Sequence, residues 1–322
     1  MNYVSIKGTA SSVPRTKISN NELSNYVDTT DEWIASRTGI KSRHLSTGET
    51  TTSLAVSAAK EALARSNTRG EDIDLIIVAT ISPEYFMPST ACLVQEEIGA
   101  INATSFDLSA ACSGFVYGLK LASQGIRCGD YKTALLIGSE VLSKTLDWED
   151  RSTCVLFGDG AGAVILSQDQ KPGIIKTYTG SDGGGAGLLT LRASKNKNIL
   201  YEGEEYNPYM EMKGRQVYSF ANKIVPICIE KLLDGTEYTI NDIDHFVLHQ
   251  ANERIIDSLA RKMKLPIGRF HKNIADYGNT SAASIPIALN QLDEKGSLNK
   301  GDLVIIVGFG GGLTWGSALI KW

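Results

Sequence analysis

The residues Ser105-Phe106-Asp107-Leu108-Ser109-Ala110-Ala111-Cys112-Ser113-Gly114-Phe115-Val116-Tyr117-Gly118 decide the fold. The first four read as the end of a strand. From Ala110 onward, Ala111, Phe115, Leu119 and Ala122 recur every three or four positions, the spacing of a helix. Cys112 is therefore expected in the first turn of a helix that follows a strand. There a thiol faces free N–H groups and the positive end of the helix dipole, which favour thiolate. Small neighbours (Ala110, Ala111, Ser113, Gly114) leave room for a substrate. A Cys packed as a small hydrophobe is the other reading of this stretch.

Working outward, the strand-then-helix order recurs. The run Asp74–Ile81 is continuously apolar, as in a buried central strand. Further strands are expected at 3–8, 133–138, 163–167, 245–248, 303–307 and 315–320. Ser19-x-x-Glu22 and Thr29-x-x-Glu32 are capping boxes, opening one helix through Val27 and a second that carries Trp33 to near Gly39. Residues 50–67 carry an apolar stripe of Leu54, Ala55, Ala58, Ala59, Ala62 and Leu63. Pro88 is expected to open a helix to about Gly99. Helical spacing also covers 212–233 (with Pro226 inside), 252–264 and 282–292. Residues 168–210 read as a strand plus long loops.

The two ends of the chain echo each other. Strand 75–79 has a counterpart at 244–248, an offset of about 169 residues. Ile137-Gly138 matches Val307-Gly308 at 170, and Ser109-Ala-Ala-Cys112 matches Ser281-Ala-Ala-Ser284 at 172. Gly162–Leu166 matches Gly316–Ile320 at a shorter offset of 154. Three near-equal offsets in one order predict an α/β protein of two similar halves, 1–170 and 171–322. Alternating strands and helices predict mostly parallel, buried sheets. Packed together, such halves would bring Cys112, His249 and the Asn279 turn to matching strand ends, where α/β proteins bind ligands.

Composition narrows the function. The 322 residues are 42% hydrophobic and 21% charged, ordinary for a globular protein, with a net charge of −4. That charge gives no general attraction to nucleic acid or anionic membrane. Five scattered Cys without a Cys-x-x-Cys pair fit a reducing cytosol. No secretory signal and no apolar run approaching roughly 18 residues is present, so no membrane insertion is expected. The four His lack metal-ligand spacing, so no metal is expected. There is no P-loop, and the glycines of 158–162 precede a strand, which excludes a dinucleotide fingerprint.

The candidate chemistry is a nucleophile with hydrogen-bond donors. His249, after an apolar strand, could donate to a carbonyl, act as a base, or be a structural histidine. Asn279 in Gly-Asn-Thr-Ser could donate to the same carbonyl or simply shape a turn. Phe309-Gly310-Gly311-Gly312 offers unshielded N–H groups for an oxyanion, or a tight connection between strands. Trp33, Arg37 and Thr38 could stack on a flat base and meet phosphate, or be a core Trp with an exposed Arg.

These motifs occur together with Phe157-Gly-Asp-Gly-Ala-Gly162, His249-Gln-Ala-Asn252 and Gly308-Phe-Gly-Gly-Gly-Leu-Thr-Trp-Gly316. In that order, and from end to end, the chain resembles the β-ketoacyl-acyl-carrier-protein synthase III family. The resemblance implies a thiolase-like fold of two pseudo-duplicated αβαβα halves, a cytoplasmic homodimer, and no metal or redox cofactor, coenzyme A thioester being a substrate. It implies an acylated Cys112, with His249 and Asn279 on the malonyl thioester carbonyl. The N–H groups of Cys112 and Gly311 would form the oxyanion hole. It assigns coenzyme A contacts to Trp33, Arg37, Thr38, Arg151, Arg215 and Asn252, Trp33 and Arg151 flanking the adenine. Arg215 stands where some relatives carry Asn. It places the acyl pocket at Met87, Leu142, Phe157, Leu189 and Phe309; Met87, where relatives often carry Phe, would close it from the neighbouring subunit. Malonyl-acyl carrier protein is the second substrate. Arg254, Arg261 and Lys262 share a helix face and, with Lys264, Arg269 and Lys272, form its docking patch or a solvated face. The rivals are a Cys-dependent acyltransferase or polyketide starter enzyme with another acceptor, and a non-catalytic acyl-coenzyme A binder.

Overall fold

The computed structural model describes residues 3–322. In the first half the order is β1 (Tyr3–Ser12), β2 (Lys17–Ser19), α1 (Asn20–Leu23), α2 (Asp31–Thr38), β3 (Ser42–His44), α3 (Thr51–Ser66), β4 (Leu75–Ala79), α4 (Thr90–Glu97), β5 (Thr104–Leu108), α5 (Gly114–Cys128), β6 (Thr133–Glu140) and β7 (Gly160–Asp169). The second half runs β8 (Ile174–Ser181), β9 (Leu189–Thr190), β10 (Glu211–Met212), α6 (Gly214–Leu233), β11 (His245–Leu248), α7 (Glu253–Met263), α8 (Ile274–Tyr277), α9 (Ser284–Glu294), β12 (Leu303–Gly310) and β13 (Thr314–Lys321).

Local chemistry sets the helix ends. The Ser19–Glu22 capping box is formed, but α1 stops after four residues, short of Val27. Thr30, not Thr29, caps α2 by accepting from the Trp33 N–H. Ser89 caps α4, so this helix starts two residues past Pro88. Thr50 caps α3, and the expected alanine and leucine stripe is its buried face.

One sheet has the order β1-β7-β6-β4-β5 and the other β11-β12-β13-β8. They are mixed, which corrects the mostly parallel expectation. β4 is parallel to β5 and β6, and β11 to β12, but β7 and β13 run antiparallel to both their neighbours. Only Gly311–Leu313 join β12 to β13, far too short for a crossover between parallel strands.

From β4 to β6 the halves repeat at an offset of 170 residues, with Ala111 matching Ser281: each opens a 3₁₀ turn at φ +46° and +48° that feeds a long helix. Cys112 therefore corresponds to Ala282, not to Ser284 as the identities suggested. The two turns are packed into each other's sheets. A Cβ on Gly138 of β6 would lie 2.3 Å from the Ala282 carbonyl oxygen, and one on Gly308 of β12 would lie 3.1 Å from that of Cys112. Each half's glycine thus makes room for the other half's turn.

α5 and α9 lie between the two sheets in one apolar cluster that includes Phe115, Leu119, Ile285 and Leu289. α3 and α4 cover the outer face of the first sheet, α6 and α7 that of the second. The stack is helix, sheet, helix, sheet, helix, and it fixes the loops at the strand ends around Cys112. Among the described residues no helix is long and apolar enough to cross a membrane.

Candidate active site

Cys112 sits in the 3₁₀ turn Ala111–Ser113, just before α5 rather than inside its first turn. It is 5% exposed. Burial pushes its thiol up to about 12; the Ser281 hydroxyl pulls the other way, and the buried Glu140 adds to the rise. Desolvation outweighs the helix dipole, so the resting group is a thiol, which corrects the thiolate expected from the sequence.

His249 follows β11 and is anchored by its N–H, which donates to the Val307 carbonyl at 2.8 Å. Its Nδ1 lies 2.7 Å from Ser284 Oγ. Ser284 has no other acceptor among the described residues, so its hydroxyl donates to Nδ1 and the ring proton is assigned to Nε2. The edge of the ring meets Phe309, with centroids 5.3 Å apart. Burial pushes its pKa down to about 3, so the ring is a neutral donor at physiological pH.

Asn279 is clamped by its backbone. Its N–H donates to Leu156 at 2.8 Å and its carbonyl accepts from Gly158 at 3.0 Å, forming a bridge with Phe157. Its Oδ1 accepts from the Ser281 N–H at 2.9 Å, which leaves Nδ2 as the free end of the amide. The N–H groups of Cys112 and Gly311 make no hydrogen bond among the described residues. Gly310 lies between them: a Cβ there would stand 3.0 Å from the Cys112 nitrogen and 3.2 Å from its sulfur.

Cys112 stands where two cavities meet. One, of about 650 Å³, is lined by Cys112, His249, Asn279, Phe309 and Leu189, and on its exposed side by Trp33, Arg37, Thr38, Arg215, Asn252 and Arg254. The other, of about 740 Å³, is lined by Cys112, Ser281, Thr80, Ile81, Ser82, Tyr85, Phe86, Phe157, Leu189 and Met210. The first gathers one nucleophile, two neutral N–H donors and a cationic rim. That set can hold a thioester carbonyl and stabilise charge on its oxygen.

The remaining sequence-named residues fall as follows. Arg37 and Arg151 both lie over the Trp33 ring, at 4.6 and 5.2 Å from its centroid. Arg151 also donates to the Asp28 carbonyl at 2.8 Å, so a flat group enters between it and Trp33 only if Arg151 swings outward. Asn252 caps α7 with Oδ1, and its Nδ2 donates to the Arg37 carbonyl at 3.1 Å, tying α7 to α2. Met87 is 87% exposed and lines neither cavity, whereas its neighbours Tyr85 and Phe86 do. Leu142 is buried in the cluster that holds Phe157 and Leu189 without lining either cavity, and Phe309 lines the first cavity, against His249. Arg254, Arg261 and Lys262 are exposed on α7. Lys272 does not extend that patch, because Glu253 and Asp257 pair with it at 2.7 and 3.0 Å.

Ser281, Ser284 and Glu140 went unassigned in the sequence, and Gly310 was read only within the run 309–312. The first two were legible only as part of the repeat that faces Cys112. Glu140 carried a signal of its own, a lone carboxylate ending an apolar strand.

Known proteins resemble the chain in sequence and fold. The fold is that of thiolase-type condensing enzymes. A solved 3-oxoacyl-acyl-carrier-protein synthase III from Aquifex aeolicus VF5 superposes with a TM-score of 0.93 at 42% identity, covering 99% of this chain and all of that one. One from Pseudomonas aeruginosa PAO1 gives 0.93 at 39%, covering 99% and 98%. The family model for 3-oxoacyl-acyl-carrier-protein synthase III matches residues 106–200, and its C-terminal model matches 233–322. The β-ketoacyl-acyl-carrier-protein synthase III of Clostridium acetobutylicum is 50% identical over 323 aligned positions, covering all of this chain and 99% of the relative. The chain belongs to the 3-oxoacyl-acyl-carrier-protein synthase III family.

Proposed function

We propose that this chain starts fatty-acid synthesis by condensing a short acyl-coenzyme A with malonyl-acyl carrier protein. The convergence of Cys112, His249 Nε2 and Asn279 Nδ2 on one cavity carries the reading. The acyl thioester enters past Trp33, Arg37, Thr38, Arg151, Arg215 and Asn252. Cys112 sulfur bonds to its carbonyl carbon, the N–H groups of Cys112 and Gly311 hold the oxyanion, and coenzyme A leaves. The malonyl thioester then places its carbonyl on His249 and Asn279. Its carboxylate carbon–carbon bond breaks, carbon dioxide departs and the electron pair becomes an enolate held by those two donors. The enolate carbon attacks acyl-Cys112 and its carbonyl–sulfur bond breaks, releasing 3-ketoacyl-carrier protein and the Cys112 thiolate, which takes up one proton from solvent to restore the thiol. Every bond is made or broken by electron pairs, so these steps call for no redox cofactor, and the family resemblance implies no metal. Each enolate donor contributes about 3 kcal/mol if it acts as oxyanion-hole groups do.

The roles belong to two halves, 1–170 supplying the nucleophile and 171–322 the enolate donors. The acyl group, acetyl or slightly larger or branched, occupies the cavity beside Phe157 and Leu189, with Met87 reaching into a partner subunit in a cytoplasmic homodimer. The acidic carrier docks on Arg254, Arg261 and Lys262. The test is mass spectrometry of the protein incubated with acetyl-, isobutyryl- and longer acyl-coenzyme A and chased with malonyl-carrier protein. An acyl mass on the Cys112 peptide that passes into 3-ketoacyl-carrier protein is expected. An acyl mass that survives the chase would assign a different acceptor, and none at all would remove the nucleophile.

A further inference from the structure

Two buried polar atoms beside the thiol lack a hydrogen-bond partner among the described residues: Glu140 Oε1 and Ser281 Oγ. They come from opposite halves, Glu140 ending β6 and Ser281 opening the turn before α9. The second oxygen of Glu140 is fully engaged. It accepts from Ser82 Oγ at 2.5 Å, Thr80 Oγ1 at 3.1 Å and the Ile81 N–H at 3.1 Å. Oε1 is thus the one open acceptor of a carboxyl with no exposed surface. Ser281 Oγ lies near enough to this carboxyl and to the Cys112 thiol to draw the pKa of each down, yet it makes no hydrogen bond with either among the described residues. Ser281 is also held at a φ of +48°, unusual for a residue with a side chain. An orphaned buried polar atom and a strained backbone both cost stability. Such costs gather at sites of function, and hydrogen bonds that are long in a free enzyme tighten with substrate.

The thiol also has a proton to lose. In the tautomer assigned above, Ser284 donates to Nδ1 and Nε2 bears the ring hydrogen, so His249 offers the thiol no free acceptor. We propose that Glu140, acting through Ser281, receives the thiol proton during acylation and returns it to the leaving thiolate. As sulfur bonds to the acyl carbon, its proton passes to Ser281 Oγ while the Ser281 proton passes to Glu140 Oε1. The carbonyl–sulfur bond of the donor then breaks, and the proton returns by the same route to the departing coenzyme A sulfur. The carboxylate and hydroxyl end as they began. The inference rests on Cys112 being the acylated group.

Burial holds the Glu140 carboxyl up at about 6, so it is ionised above that pH. The titrating groups around it are Cys112, from the turn before α5, and Lys144, from the turn after β6. Lys144 donates instead to the Pro83 carbonyl at 3.1 Å. The loop 80–82 and the turn 281–283 face Glu140 with hydroxyls and amides.

The test is rapid-quench acylation by acetyl-coenzyme A alone, read by intact mass from pH 5 to 9, on the wild type, Glu140→Gln, Glu140→Asp and Ser281→Ala. Decarboxylation of malonyl-carrier protein is measured alongside in a Cys112→Ala background, with and without Glu140→Gln. Wild-type acylation should fall as pH drops through about 6. Glu140→Gln should acylate about 100-fold more slowly, within the range for a lost general base, and without that limb. Ser281→Ala should slow acylation likewise, Glu140→Asp should restore part of the rate and the limb, and decarboxylation should be unchanged. A Glu140→Gln enzyme with wild-type rate and pH profile would overturn the relay. So would acylation and decarboxylation falling together, the mark of a structural role. Should that variant fail to fold, a Ser281→Ala enzyme with the wild-type profile refutes the relay equally. A wild type that never acylates at Cys112 would instead remove the reading beneath it.

Discussion

Gly310→Ala puts one methyl group against the nucleophile. The new Cβ would lie 3.0 Å from both the nitrogen and the Cβ of Cys112 and 3.2 Å from its sulfur, where ordinary contact begins near 3.4 Å. The turn 111–113 or the end of β12 must yield by a few tenths of an ångström. Neither is free to do so cheaply, since the turn also rests on Gly308, where a Cβ would meet Ser113 at 3.0 Å. Overpacking of this kind costs about 1–3 kcal/mol of stability. The sulfur would also shift relative to the Gly311 N–H proposed above as an oxyanion donor. A 1 Å misplacement costs about 100-fold, so a shift of a few tenths scales to roughly tenfold in acylation rate. The assay is rapid-quench acylation at saturating acetyl-coenzyme A, with thermal melts for stability. Gly187→Ala is the control, because a Cβ there meets nothing within 4 Å. A Gly310→Ala enzyme acylating within about twofold of wild type would refute the claim that this glycine spaces the thiol from its oxyanion donor.

Ser284→Ala frees the His249 tautomer, so decarboxylation of malonyl-carrier protein in single-turnover assays should fall about tenfold while acylation of Cys112 is kept. Because His249 titrates only near 3, decarboxylation should be flat from pH 5 to 8; a limb near 6.5 in the Cys112→Ala enzyme would contradict a neutral ring. Trp33→Ala should raise KM for acyl-coenzyme A about fivefold with kcat kept, the loss of roughly 1 kcal/mol of stacking, read by steady-state kinetics. Burial raises Cys112 and Cys228 from 9.0 to about 12 and Cys154 to about 11. Unfolded thiols ionise first, so stability present below pH 9 should be lost progressively as pH rises from 9 toward 12, seen as a falling Tm.

Much of this site was legible because it depends on local spacing. The strand ending at Leu108 and the helical stripe of Phe115, Leu119 and Ala122 placed Cys112 at a strand–helix junction, and the apolar run before His249 did the same for the imidazole. The repeat told that the halves correspond, but identity aligned Cys112 with Ser284 where the backbone pairs it with Ala282. The strained φ shared by Ala111 and Ser281 sets the true register, and no residue letter encodes it. The Ser284–His249 bond joins residues 35 apart, and Ser281 and Glu140 meet across 141 positions, so only the packed sheets bring them together. The thiol's ionisation was misread for a related reason. A helix end is visible in a sequence, whereas the burial that outweighs it is a property of the assembled core.

The facing turns 111–113 and 281–283 form a broken dyad. Were the twofold between them strict, every group would confront its own copy, thiol against thiol or serine against serine. Like groups cannot divide the work of attacking, donating and accepting. Cys112 has lost its mirror image to Ala282, and Ser281 has gained a hydroxyl where Ala111 has none. The scaffold stays symmetric enough to interlock through Gly138 and Gly308, while reactivity resides only where the mirror fails.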